Sequence, residues 1–231
     1  MLKIVKGFLS IAAVLIVLLV NSVQAHADDQ SIKVVDKNGD LLANAVLIVN
    51  DNDVAESAQM APEQAIVDQV DRQFTPFMTV IKVGSDIVFP NSDNIRHNVY
   101  SFSEPKPFEL KLYANEERPT LDFQTPGLVT LGCNIHDQMI AHIVVVDRQT
   151  AKVSNEQGQI MIGLNSDGAE PVNAVLWHPW LGSDLSQAVS VTLNVATTES
   201  PQVLQLNVVP PAPEKQPESR LQQRFNRTGN P

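Results

Sequence analysis

One thiol, one imidazole and one thioether stand at the spacing Cys-x2-His-x2-Met in the segment Gly132-Cys133-Asn134-Ile135-His136-Asp137-Gln138-Met139, and His97 offers a second imidazole upstream. One thiolate and two imidazoles with a weak axial thioether suit copper in both oxidation states. Thiolate and thioether favour the reduced ion, and imidazole accepts either. Zinc would also take a cysteine and two histidines, but methionine is a poor zinc ligand and structural zinc sites usually carry more thiolates. The thiol must lose its proton to bind, so metal loading releases a proton. Singly, each residue has an ordinary reading: Cys133 as a small buried hydrophobe, His97 as a hydrogen-bonded histidine, Met139 as core. Jointly, they point to one copper ion held by His97, Cys133, His136 and Met139.

Convergence of four side chains requires strands on either side of the ligand segment. Period-2 alternation and turn signals dominate the chain, and helical periodicity is scarce. Strands are expected over 31–35, 45–49, 78–83, 87–89, 99–102, 110–113, 120–123, 128–131 and 140–146, with a polar loop over 51–72. This series of short strands at regular spacing argues for a β-sandwich. The Cys-x2-His-x2-Met segment falls between the strands at 128–131 and 140–146. A short loop there can turn three side chains toward one point, which a continuous strand cannot do. Beyond residue 150 come apolar segments at 159–162, 174–177, 189–195 and 203–208, read as a small β-rich subdomain over 151–209. Asn44-Ala45-Val46-Leu47 recurs as Asn173-Ala174-Val175-Leu176, a thin hint of a repeat.

The ends of the chain and its charge bound the setting. Lys3 and Lys6, the apolar run Phe8–Val20 and the small-x-small pattern Ala25-His26-Ala27 read as a signal peptide over 1–27, cleaved after Ala25 or Ala27. The run is short for a spanning helix, which needs about 20 residues, so no membrane insertion is expected after cleavage and the location expected is periplasmic. A single cysteine in an oxidising compartment cannot form an internal disulfide and is either inert or employed. A formal charge of −10 argues against binding nucleic acid and favours partners with a basic or apolar docking surface. The Pro-rich tail over 210–231 lacks the means to build a core and is expected to be disordered.

His97-Asn98-Val99, preceded by Lys82-Val83-Gly84 and Pro90-Asn91, resembles the first-ligand region of plastocyanin and amicyanin. The stretch from Phe123-Gln124-Thr125-Pro126-Gly127 through Val146 resembles their second-ligand region, and the short gap between His136 and Met139 is similar to amicyanin's loop. The likeness covers roughly 74–147. The overall layout also resembles the plastocyanin-like proteins labelled methylamine utilization proteins, whose label implies a periplasmic location. The resemblance implies an all-β, cupredoxin-like Greek-key sandwich over 28–150, with the 151–209 subdomain beside it. It further implies that His97 is the buried ligand, Cys133 the thiolate, His136 the exposed electron port and Met139 the axial ligand, with Asn98 bonding the ligand loop. Asp137 beside the port departs from the pattern and would repel acidic partners.

Two functions share this ligand set: a blue-copper electron-transfer protein passing electrons to a redox partner, and a periplasmic copper carrier, buffer or sensor. An enzyme is not expected. A Cys133–His136 nucleophile pair would need a third group to orient the base, and the chain has no Gly-rich phosphate loop, H-E-x-x-H or G-x-S-x-G. His142 reads as a strand-face histidine. His178, in Trp177-His178-Pro179-Trp180, reads as cover for the second core, with a partner surface as the alternative.

Overall fold

The computed structural model describes residues 29–114, 117–165, 170–195 and 200–210. The expected signal peptide and nearly all of the Pro-rich tail lie outside these residues. In chain order the strands are β1 Asp29–Val35, β2 Val46–Asn50, β3 Gln64–Ile66, β4 Asp68–Val70, β5 Gln73–Thr75, β6 Met78–Lys82, β7 Ser85–Val88, β8 His97–Ser101 and β9 Phe108–Tyr113. They continue as β10 Thr120–Phe123, β11 Gly127–Gly132, β12 Ile140–Val146, β13 Gln149–Val153, β14 Gln159–Gly163, β15 Val172–Trp177, β16 Val189–Leu193 and β17 Gln202–Gln205. Among the described residues the helical pieces are short 3-10 turns, and no helix is long and apolar enough to cross a membrane.

Four sheets stack in layers, in the orders β14-β1-β17, β13-β2-β15-β16, β6-β12-β11-β8-β9 and β10-β7-β3, with β4-β5 as a separate hairpin. Three cores fill the spaces between them. Ile32, Val34, Leu47, Val49, Ile160, Ile162 and Leu176 join the first two sheets. Val46, Ile48, Ala151 and Trp177 meet Met78, Leu128, Val144 and Val146 across the middle seam. Ile81, Val99, Val129, Leu131, Ile143 and Val145 pack on Ile87 and Phe123 between the last two. This layering explains the continuous apolar runs Val46–Val49 on β2 and Ile143–Val146 on β12. Alternate residues of each run enter different cores, so both faces are buried there.

The sheets do not divide at residue 150. The expected sandwich of 28–150 includes the strands at 31–35 and 45–49, but β1 pairs with β14 antiparallel and β17 parallel, and β2 pairs with β13 and β15. The first sandwich is therefore built from both ends of the described chain, and the second, running from β3 to β12, is inserted between β2 and β13. Alternation shows which faces of a strand are buried but not which strand lies beside it, so this pairing is invisible to local pattern. Asn50 and Gln149, where the insert leaves and returns, are register partners, and such close ends allow an inserted unit to fold with little strain on its host. Asp51 ties the junction together: it pairs with Lys82, accepts a hydrogen bond from Thr150 Oγ1 at 2.8 Å, and Lys82 Nζ also donates to the Gln149 carbonyl at 3.0 Å.

Other expectations shift more locally. The polar loop of 51–72 contains 3-10 turns at 51–53 and 56–58 but also β3 and β4, whose short, Gln- and Asp-rich segments give little alternation to read. Asn44 is a turn residue before β2. Only the Val-Leu halves of the two Asn-Ala-Val-Leu stretches therefore share a setting, on β2 and β15, which are antiparallel neighbours with Leu176 opposite Leu47. Their likeness matches a shared environment of two buried faces.

Candidate metal centre

His97 opens β8 at an irregularity in its pairing with β9: His97 faces Tyr113, Val99 faces Leu110, and the register shifts between them. A bulge of this kind breaks strict alternation and re-aims a side chain. Here the two consecutive residues His97 and Asn98 are both buried and both reach the same loop. That loop, 133–139, joins β11 to β12, whose last rung pairs Gly132 with Ile140. Asn98 Oδ1 accepts the Asn134 N–H at 2.9 Å and lies 3.4 Å from Cys133 Sγ, so it fixes the near end of the loop. The Met139 N–H donates to the His136 carbonyl at 2.9 Å and closes the far end.

One donor atom each from His97, Cys133 and His136 lies within 4.8 Å of the others. His97 Nδ1 and Cys133 Sγ are 3.9 Å apart. Bonds of about 2.0–2.3 Å from imidazole nitrogen and thiolate sulfur set trigonal ligand separations of roughly 3.5–4 Å, and the His97–Cys133 edge has that length. His136 Nδ1 is buried without a hydrogen-bond partner. A lone pair left unpaired in this way carries a desolvation cost that a bound cation would remove. Met139 is completely buried, belongs to the same core cluster as Cys133 and lines the same cleft. Of the four residues that the sequence singled out, three form the donor triangle and the fourth packs in the core beside Cys133.

Buried polar groups surround the first ligand. Asn91 Nδ2 donates to the carbonyls of Ile95 and Tyr113, at 3.0 and 2.9 Å, and ties the loop before β8 to the end of β9. Burial pushes the Tyr113 hydroxyl well above its ordinary value, and its O–H donates to the Phe89 carbonyl at 2.9 Å. Asp93 was missed in the sequence, although a carboxylate four residues before a ligand histidine was there to be read. Its Oδ2 lies 2.7 Å from His97 Nε2. Burial raises its carboxyl, but bonds from the Arg72 amide, the His97 ring and the Asp71 amide outweigh that and hold it below the usual value. Gly132 was missed as well: a Cβ there would come within 2.6 Å of the Tyr100 ring, which stacks on exposed Phe102 at 5.0 Å.

The remaining histidines stay outside the triangle. Burial lowers both His142 and His178 to about 4. His142 Nδ1 pairs with Thr130 Oγ1 at 3.1 Å, between the rings of Phe77 and Trp177. His178 has both nitrogens occupied: Nε2–H donates to the Ala43 carbonyl at 3.2 Å and Nδ1 accepts the Trp180 amide at 3.1 Å. His178 is therefore part of the first sandwich's cover, as read from the sequence.

In this arrangement a strand-borne histidine and a Cys-His-Met loop converge at one end of a mixed sandwich, in which β6 with β12 and β3 with β7 are parallel pairs and the rest are antiparallel. The inserted sandwich has the ligand arrangement that the resemblance to plastocyanin and amicyanin implies. No family model and no curated protein matches the chain. Among solved structures it is similar to a copper-containing nitrite reductase from Thermus scotoductus SA-01, at 28% identity and a TM-score of 0.35, over 41% of this chain and 25% of that one. The described chain thus spans about a quarter of the reductase. It is also similar to amicyanin from Paracoccus versutus, at 18% identity and a TM-score of 0.33, over 43% of this chain and 91% of that one. A purple cupredoxin from Nitrosopumilus maritimus matches at 20% identity and a TM-score of 0.32, over 36% of this chain and 99% of that one.

Proposed function

We propose that this protein is an exported electron carrier, not an enzyme, that holds one copper ion through His97, Cys133, His136 and Met139. The observation that carries this reading is the triangle of His97, Cys133 and His136, in which His136 Nδ1 is buried with no hydrogen-bond partner among the described residues. Copper held by such a donor set supplies a one-electron couple between its reduced and oxidised states.

The chain's own groups do the rest. Asn98 holds the loop and the β8 bulge holds His97, so the donors need little rearrangement when charge at the site changes. Cys133 and Met139 are buried, which keeps water from the sulfur ligands. His136 is half-buried, flanked by exposed Ile135 and by Asp137, and is the group through which the site meets a partner's surface. The acid beside it and the net charge of −10 favour a redox partner with a basic or apolar face.

The test is the visible spectrum of the purified, copper-loaded protein. The wild type is expected to be intensely coloured when oxidised and colourless when reduced. Cys133→Ser is expected to lose the colour while melting as a folded apo-protein. A colourless wild type with stoichiometric copper would overturn the reading.

A further inference from the structure

Two segments distant in sequence meet at the carboxylate of Asp93. Oδ1 accepts the Asp71 N–H at 2.7 Å, and Oδ2 accepts the Arg72 N–H at 2.9 Å and faces His97 Nε2 at 2.7 Å. Asp71 and Arg72 are the corner of the β4–β5 hairpin, with φ of 52° and 60°. Two consecutive left-handed residues make the type I′ turn favoured in two-residue hairpins, and here its two amides point at one carboxylate. The hairpin is strapped to the segment before His97 by further bonds: Ser92 Oγ donates to Asp68 Oδ2 at 2.7 Å, the Ser92 N–H to the Gln69 carbonyl at 3.0 Å, and Gln69 Nε2 to the Pro90 carbonyl at 2.9 Å. Asp93 Oδ2 therefore cannot leave His97 without breaking the hairpin's hold.

We propose that Asp93 is a positioning residue of the metal site, held by the β4–β5 hairpin, and that it fixes His97 in the Nε2–H tautomer with Nδ1 aimed at the point shared with Cys133 Sγ. This rests on the copper reading above. A neutral imidazole carries one N–H, and a carboxylate can only accept, so the proton belongs on the nitrogen facing Asp93. The other nitrogen, Nδ1, keeps its lone pair and stands 3.9 Å from Cys133 Sγ. A carboxylate behind a ligating histidine also makes the ring more basic. It thereby favours the more highly charged, oxidised ion and lowers the reduction potential. The two turn amides share that negative charge and moderate its effect.

The experiment has a metal-free arm and a copper arm. Long-range 15N–1H NMR of the apo-protein at neutral pH is expected to show His97 wholly as the Nε2–H tautomer in the wild type and in Asp93→Asn, which keeps an oxygen acceptor. Asp93→Ala is expected to show a mixture. In the copper arm, Asp93→Ala is expected to lose about 10–100-fold in affinity for the oxidised ion. A tenfold loss confined to that state corresponds to a rise in potential of about 59 mV. Asp93→Asn is expected to raise the potential while keeping the tautomer, which separates charge from orientation. A wild-type Nδ1–H tautomer, or a potential and affinity unchanged in both variants, would overturn the proposal. Should Asp93→Ala not fold, Asp93→Asn decides the copper arm and the wild-type tautomer the other. A colourless copper-loaded wild type removes the carrier function, while the tautomer arm still judges Asp93.

Discussion

The two sandwiches are built of similar material and share a seam, yet they use their histidines in opposite ways. In the sandwich formed by the chain's ends, His178 gives one nitrogen to the Ala43 carbonyl and takes the Trp180 amide with the other. It has no lone pair left for a ligand. In the inserted sandwich, His97 is bonded at Nε2 apart from its approach to Cys133, and His136 Nδ1 has no hydrogen-bond partner among the described residues. Metal-binding capacity therefore follows from which lone pairs the fold leaves unspent, more than from which residue types are present. The same contrast holds for the backbone. The inserted unit draws its strands from one continuous stretch, 64–146, and the host draws its strands from both sides of that stretch. The unit that carries the chemistry can thus be assembled from its own sequence, and the host closes around its two ends.

That comparison can be broken most severely at the seam. Trp177 is fully buried there against strands of the inserted sandwich. Trp177→Ala is expected to cost about 3–5 kcal/mol in urea unfolding, while the absorption of the copper-loaded protein stays unchanged. A shifted spectrum would show that the host shapes the site.

Acid is expected to weaken the seam and the host next. Burial holds His142 and His178 at about 4 in the folded chain, against 6.5 when free. Between those values the unfolded chain binds protons that the folded chain refuses. Stability is therefore full above about pH 6.5 and is lost as pH falls toward 4. The loss is on the order of 3 kcal/mol from His178, which is almost fully buried, with a smaller share from the partly exposed His142. Denaturant unfolding at neutral and mildly acidic pH measures it, and His142→Phe is expected to flatten the profile. An unchanged slope in that variant would remove His142 from the account.

The junction is expected to show the smallest effect. Asp51→Ala removes the carboxylate shared by Lys82 and Thr150. Lys82 keeps the Gln149 carbonyl, so a cost of about 1 kcal/mol is expected, read from thermal or denaturant melts. A loss several times larger would mean that the two sandwiches are held together chiefly at the junction and less by the Trp177 seam.

Residue types and spacing were enough to read the ligand loop and most of the strands. Cys133, His136 and Met139 sit within one turn-bounded segment, where spacing and residue type are the same information, and alternation marks a strand whatever its neighbour. Tertiary structure alone decided three things. It paired β1 and β2 with strands more than a hundred residues away, because apolar faces specify burial but not partner. It brought the amides of Asp71 and Arg72 onto Asp93, because a hairpin turn's unpaired N–H groups acquire a target only when another segment is folded against them. And it left the His136 lone pair unpartnered while satisfying those of His178, because whether a buried polar atom is spent depends on every chain segment that surrounds it.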